Sequence, residues 1–276
     1  MTVKRYAVFF DLDGTFLTTD KRVTDRNRRA LELAHSKGAY VVPTTGRIYE
    51  GMPEAVRELG FIEYAITVNG AEVYDVKERK ALKREEITAS RAIEIFDIME
   101  RFDCIYDCYA RGWGYMQRNH YEKADEYVIE QKMRQMVKSV RTPVDDIRKH
   151  VVENFESVQK MQMFFKNLYE NAKAAEYLRN ELKSECVTSS VRGNLEINSE
   201  HANKGEGLIF LCSYLGIPLE RSIAFGDGSN DLTMIKAAGL GVSMGNGIAE
   251  IKEAANEITA SNNEDGVALV LERIFG

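Results

Sequence analysis

Asp11 and Asp13 stand two residues apart at the end of the apolar run Ala7-Val8-Phe9-Phe10, just before Gly14 and Thr15. Alternate side chains on extended backbone point the same way, so two carboxylates at this spacing can converge on one site. Two further apolar runs end in polar loops: Val41-Val42 leads to Thr44-Thr45-Gly46-Arg47, and Ile223-Ala224-Phe225 to Gly226-Asp227-Gly228-Ser229-Asn230-Asp231. In an open parallel sheet, ligand sites gather beyond the carboxyl ends of the strands, so three such loops can share a crevice. Asp11, Asp13 and Asp227 would repel one another there unless a cation joined them. An all-oxygen ligand set favours Mg²⁺, which keeps waters and uses few carboxylates alongside phosphate. The Thr45 hydroxyl, the open amide of Gly46 and Lys204 at a helix start are donors for phosphate oxygens. Taken singly, these features have plainer readings: an Asp-Gly turn, a threonine N-cap, a surface lysine, a loop capped by Ser229. Their conjunction, in this order, points to phosphoryl chemistry.

The elements that must hold these loops follow from periodicity and breakers. Ala7–Phe10 predicts a strand covered on both faces. Thr24–Lys37 predicts a helix ended by Gly38, 39–43 a strand, Glu50–Leu59 a helix, Tyr64–Val68 a strand, and Asn69-Gly70-Ala71 a tight turn into a strand over 71–74. Charge accumulates over Lys77–Glu86, a plausible crossing between domains. The pattern then changes: helices over Thr88–Phe102, Tyr121–Val140 and Asn171–Leu182, and strands over 104–109, 115–118 and 158–165. Cys186–Arg192 and Asn194–Ile197 are expected to pair as a hairpin around Gly193. A helix over Asn203–Leu215, strands over 222–225 and 240–243, and a helix over Asp265–Ile274 restore βα alternation. The expected fold is α/β, a parallel-sheet core interrupted by an α+β insert.

A chain of 276 residues can bury a large core and divide into two domains. The net charge of −6 argues against a nucleic-acid binder that works through a broad basic face. No run approaches the roughly 18 to 20 apolar residues of a membrane span, and the N-terminus enters a strand pattern rather than a signal peptide, so a cytoplasmic protein is expected. The four cysteines form no C-x-x-C pair, which favours reduced, structural thiols.

On these motifs the chain resembles the haloacid dehalogenase superfamily of phosphatases, and within it the Cof-type group. Asp11-Leu12-Asp13-Gly14-Thr15 matches the first motif, Thr45-Gly46-Arg47 the second, Lys204 the third, and Gly226–Asp231 with Leu232-Thr233-Met234-Ile235 the fourth. Asn69-Gly70-Ala71, Leu195-Glu196-Ile197, and the tail from Met244-Gly245-Asn246-Gly247 through Ser261–Gly266 are further Cof-like traits. The resemblance is close over roughly 6–70 and from 195 to the C-terminus; the insert matches only in position. It implies a Rossmann-like core (1–82 and 199–276) with a mobile cap (83–198) placed between the second and third motifs.

By that resemblance Asp11 is the nucleophile that forms an aspartyl-phosphate, while Asp13 protonates the leaving alcohol and then activates water. Asp11, the Asp13 carbonyl and Asp227 hold Mg²⁺. Lys204 and Thr45, with the amides of Leu12 and Gly46, hold the transferring oxygens; Asn230 binds phosphate or orients Lys204, and Asp231 supports the ligands from behind. Arg47, Asn69, Gly70 and Glu196 are candidates to meet the substrate, and Arg111, Trp113, Arg118 and Arg192 are weaker candidates in the cap. The expected partner is a small phosphorylated metabolite, not nucleic acid or membrane. Three functions fit: a Mg²⁺-dependent phosphatase of small phosphomonoesters, a sugar phosphomutase or other phosphotransferase, and a phosphometabolite-binding regulator with little turnover.

Overall fold

The apolar run Ala7–Phe10 forms an interior strand of a five-stranded parallel sheet in the computed structural model, which describes residues 6–276. The sheet order is Glu257–Ile258, Leu240–Ser243, Ser222–Gly226, Ala7–Phe10, Tyr40–Pro43. Alternation divides the first strand between two apolar layers. Val8 and Phe10 pack with the helices Asp25–Ser36 and Gly266–Phe275, and Ala7 and Phe9 with the helix Lys204–Leu215. All four are fully buried, and each buried phenylalanine contributes about 1.5–3 kcal/mol relative to exposure. Helix starts follow cap chemistry. Thr24 accepts from the Asn27 amide and Asn203 from the Glu206 amide, and Gly216 ends the helix that Asn203 begins, at φ 65°.

A smaller sheet of Tyr64–Thr67, Glu72–Asp75 and Lys80–Arg84 continues from the parallel one through a bridge between Thr44 and Ile66. Half of the charge run over Lys77–Glu86 is the strand Lys80–Arg84, and the division between the chain's two compact units falls within that run. The helix expected over Glu50–Leu59 is instead two short pieces, Tyr49–Gly51 and Glu54–Arg57. Pro53 explains the break, because a residue before proline is driven to extended backbone, and Met52 has ψ 145°.

The chain divides into two compact units: residues up to Lys83 with Asn203–Gly276, and Arg84–Ala202. The divisions lie one and four residues beyond those expected. The later shift arises because the strand Asn194–Ser199 extends past 198, and the Glu200 amide still bonds the Ser184 carbonyl. The second unit is built on a six-stranded sheet ordered Glu185–Thr188, Asn194–Ser199, Lys160–Phe164, Ile105–Ala110, Trp113–Gln117, Arg141–Val144, antiparallel except for the last pair. The helices Ala89–Met99, Ile147–Asn154 and Leu168–Glu181 cover one face over Tyr106, Cys108, Met161, Met163 and Leu195. The single helix expected over Tyr121–Val140 is three, Arg118–Glu122, Ala124–Tyr127 and Gln131–Ser139. Val128 adopts extended backbone between them and is buried with Ile105, Met116 and Phe164, so tertiary packing overrides a helical pattern. Among the described residues no helix is long and apolar enough to cross a membrane.

Candidate active site

Strand pairing runs directly into the polar loops. The Asp11 amide donates to the Phe225 carbonyl at 3.0 Å and the Thr44 amide to Phe10 at 2.9 Å, so the three loops leave neighbouring strands at one level. The loop after Asp11 folds back at once, with the Phe16 amide on the Asp11 carbonyl. Gly14 makes that possible: its φ is 92°, and a Cβ there would lie 2.3 Å from Asp227 Oδ2.

Lys204 is wholly buried, and its ammonium sits between two carboxylates, 2.6 Å from Asp11 Oδ1 and 2.5 Å from Asp231 Oδ1. The other oxygen of Asp231 accepts from the amides of Asp227 and Gly228, both at 2.9 Å. Asp231 therefore fastens Lys204 to the backbone of the loop that carries Asp227. The Thr15 hydroxyl donates to Asp227 Oδ1 at 2.9 Å. Oxygens of Asp11, Asp227 and Asp231 lie within 4.8 Å of one another. Burial pushes the Asp11 carboxyl well up, against the pull of Lys204; burial and then Asp231 push Asp227 up to about 7. For Lys204, burial is outweighed by Asp11 and Asp231, which hold the ammonium protonated.

The tightest trio is Asp11, Asp227 and Asp231; the Asp13 carboxylate repels Asp11 and Asp227 from farther off. Asp13 has gone to cations. Arg47 grips it with a fork, Nε to Oδ2 at 2.7 Å and Nη2 to Oδ1 at 2.8 Å, and Lys21 Nζ reaches Oδ1 at 2.7 Å. Burial alone would raise this carboxyl, but Arg47 and then Lys21 outweigh it and hold it well below the usual range. Thr45 Oγ1 accepts from the Arg47 amide at 3.2 Å. The Asn230 side-chain amide is turned to Asn69, its Nδ2 donating to Asn69 Oδ1 at 3.1 Å. Sequence reasoning missed Lys21, a lone lysine whose left-handed φ of 61° leaves no local signature. The hydroxyl role of Thr15 was contained in the first motif but not drawn out.

A family model of haloacid dehalogenase-like hydrolases matches residues 8–271. The chain belongs to that family. It is 29% identical to phosphatase YwpJ of Bacillus subtilis, over 97% of this chain and 99% of the relative. It is 30% identical to the 5-amino-6-(5-phospho-D-ribitylamino)uracil phosphatase YcsE of the same organism, over 95% and 92%. A solved haloacid dehalogenase-like hydrolase from B. subtilis superposes with a TM-score of 0.86 at 27% identity, covering 98% of this chain and 99% of that one.

The donor set of this hydrolase fits a small hard cation. Three carboxylates converge, one ammonium balances only part of their charge, and burial, with their mutual repulsion, pushes two of them toward protonation. Asp231 is the least available of the three, because both its oxygens are already engaged.

The candidates in the second unit are placed differently from one another. Glu196 is buried, and its Oε1 accepts from Lys160 at 3.0 Å, Gln162 at 2.9 Å and Ser190 at 2.8 Å. Gln162 in turn accepts from Arg141, which pairs with buried Asp107 at 2.9 Å. This charged strip lies on the sheet face opposite the three long helices, by strand alternation. Arg118 forms an exposed pair with Asp145, Trp113 donates to the Thr142 hydroxyl, Arg111 lies over the Phe155 ring, and Arg192 is exposed.

Proposed function

We propose that this hydrolase is a Mg²⁺-dependent phosphatase that cleaves small phosphomonoesters through an aspartyl-phosphate on Asp11. The observation that carries the reading is the buried chain Asp11–Lys204–Asp231. It engages one oxygen of Asp11 and leaves the other to attack phosphorus, with a fixed cation beside it. In the first step the Asp11 oxygen bonds to phosphorus as the ester P–O bond breaks, and the leaving alkoxide takes a proton. In the second, water attacks the same phosphorus, gives a proton to a base and frees Asp11. Lys204, Thr45 and the amides of Leu12 and Gly46 are the donors for the transferring oxygens. Asp11, Asp227 and the Asp13 carbonyl are the proposed holders of Mg²⁺, which when bound neutralises phosphoryl charge and aligns the displacement. Held by Arg47 and Lys21, Asp13 is ionised but weakly basic; to take a proton from water or to give one to the leaving group it must part from these cations.

The relative that acts on 5-amino-6-(5-phospho-D-ribitylamino)uracil supports a small polar phosphomonoester as substrate. A phosphate-release panel containing that compound, sugar phosphates and p-nitrophenyl phosphate, with Mg²⁺ and with EDTA, tests the proposal. Release that EDTA abolishes and Mg²⁺ restores is expected. Phosphoryl return to a sugar hydroxyl would instead make it a mutase, and binding without turnover a regulator. Within the same panel Glu196→Ala is expected to lower kcat/KM more for the preferred metabolite than for p-nitrophenyl phosphate, since the nitrophenyl ester needs few specific contacts. Equal losses would remove Glu196 from leaving-group recognition.

A further inference from the structure

Three consecutive residues, Val68, Asn69 and Gly70, have positive φ: 52°, 60° and 100°. Glycine takes such values freely, asparagine with some tolerance, and a β-branched valine almost never. Strain of this kind persists only where the surroundings over-determine it, and it clusters at functional sites. Here the surroundings are the phosphoryl loops of the same unit. The Val68 amide donates to the Arg47 carbonyl at 2.9 Å and the Asn69 amide to the Thr45 carbonyl at 3.0 Å, stitching the turn to the second motif. The Asn69 side chain is buried, and its Oδ1 accepts from Asn230 Nδ2 at 3.1 Å, in the fourth motif. A Cβ on Gly46 would stand 2.7 Å from that same oxygen, so the second motif also closes around it. Gly70 lies against Asn203, the N-cap of the helix that begins with Lys204; a Cβ on Gly70 would be 2.2 Å from the Asn203 carbonyl. One strained turn thus touches the loops that supply Thr45, Asn230 and Lys204.

We propose that Asn69 is a positioning residue that acts through Asn230. Its side-chain carbonyl accepts a hydrogen bond from the Asn230 amide and so sets the direction in which Asn230 meets phosphoryl oxygens. Asn69 itself makes no contact with the leaving group. This inference rests on the phosphoryl-site reading above.

The test is a double-mutant cycle on the full chain: Asn69→Ala, Asn230→Ala and the pair, assayed for kcat and KM with p-nitrophenyl phosphate and Mg²⁺. Asn230→Ala and Asn69→Ala are each expected to lower kcat/KM by roughly tenfold or more, and the pair no further than Asn230→Ala alone. Losses that multiply would mean that Asn69 acts independently of Asn230, and would overturn the inference. Asn69→Gly separates positioning from folding. Glycine adopts the same φ without strain, so this variant should melt no lower than the wild type yet lose activity as Asn69→Ala does. Wild-type kinetics in Asn69→Gly would reduce Asn69 to a turn former and equally overturn the proposal. The same cycle read as the Kd of inorganic phosphate, by calorimetry with Mg²⁺, needs no turnover. A wild type that binds phosphate but hydrolyses nothing would defeat the phosphatase reading while still deciding the role of Asn69. A wild type that does neither would defeat both.

Discussion

Replacing Asp11 with Asn keeps the side chain's shape and leaves Asp231 to pair with Lys204, so the fold should melt nearly as before. It removes the attacking anion, and turnover should fall by at least about a thousandfold. Substantial activity in the purified variant, after a control for contaminating phosphatase, would dismiss Asp11 as nucleophile. Asp227 leads to a pH prediction. Its carboxyl sits at about 7 in the folded protein, well above its unfolded value, so protonated Asp227 stabilises the metal-free fold at low pH, and that contribution fades as pH rises from about 4 to about 7. Below about pH 7 a cation held by ionised carboxylates must displace that proton. Mg²⁺ should therefore raise the melting temperature more at about pH 8 than at about pH 5.5, and its affinity should climb with pH until about 7. A metal effect indifferent to pH would contradict the assignment. Asp13 has the opposite sign: the stability it lends is present above the ordinary carboxylate pKa and is lost as pH falls. Which carboxylates crowd together could not be read from spacing. Asp11 and Asp13 look equivalent along the strand, and only Arg47 and Lys21, brought in by the folded loops, draw one of them away.

Gly70→Ala forces a Cβ toward the Asn203 carbonyl at a φ of 100°, and the obstacle is backbone that cannot swing aside. We expect a loss of more than about 1 kcal/mol of stability, because alanine is strained there, together with weaker phosphate binding as the Lys204 helix start shifts. An unchanged melt and unchanged kinetics would show that the turn tolerates the displacement. Elements defined by local rules were legible in advance: the strands ending at Phe10 and Ser243, the helix after Thr24 and the helix after Asn203 each carry an apolar run or a cap. Elements defined by distant partners were not. The strand Arg141–Val144 contains Pro143 and one buried arginine, and it exists because it pairs with Trp113–Gln117. The stretch from Tyr121 to Val140 has a helical pattern, yet it breaks where Val128 is drawn into the core under the sheet.

Residues 84–202 are continuous in the chain and have an apolar core of their own, whereas the parallel sheet is assembled from both ends of the sequence. The excised segment 84–202 should accordingly fold alone, with a cooperative melt, while 1–83 alone should not. A molten 84–202 fragment would show that its core needs the rest of the chain. The same arrangement orders events during synthesis. Ala7–Phe10 leaves the ribosome before Tyr40–Pro43, which follows soon after to pair with one side of it. Its other side is destined for Ser222–Gly226, which is made only after the whole insert. Until then the nascent protein carries an apolar strand with an open edge, the kind of surface that recruits stray strands from other chains. The burden this fold places on the cell is therefore one of timing. A strand made early is completed late, and a chaperone that shields Ala7–Phe10 would be needed most while residues 84–202 are being translated.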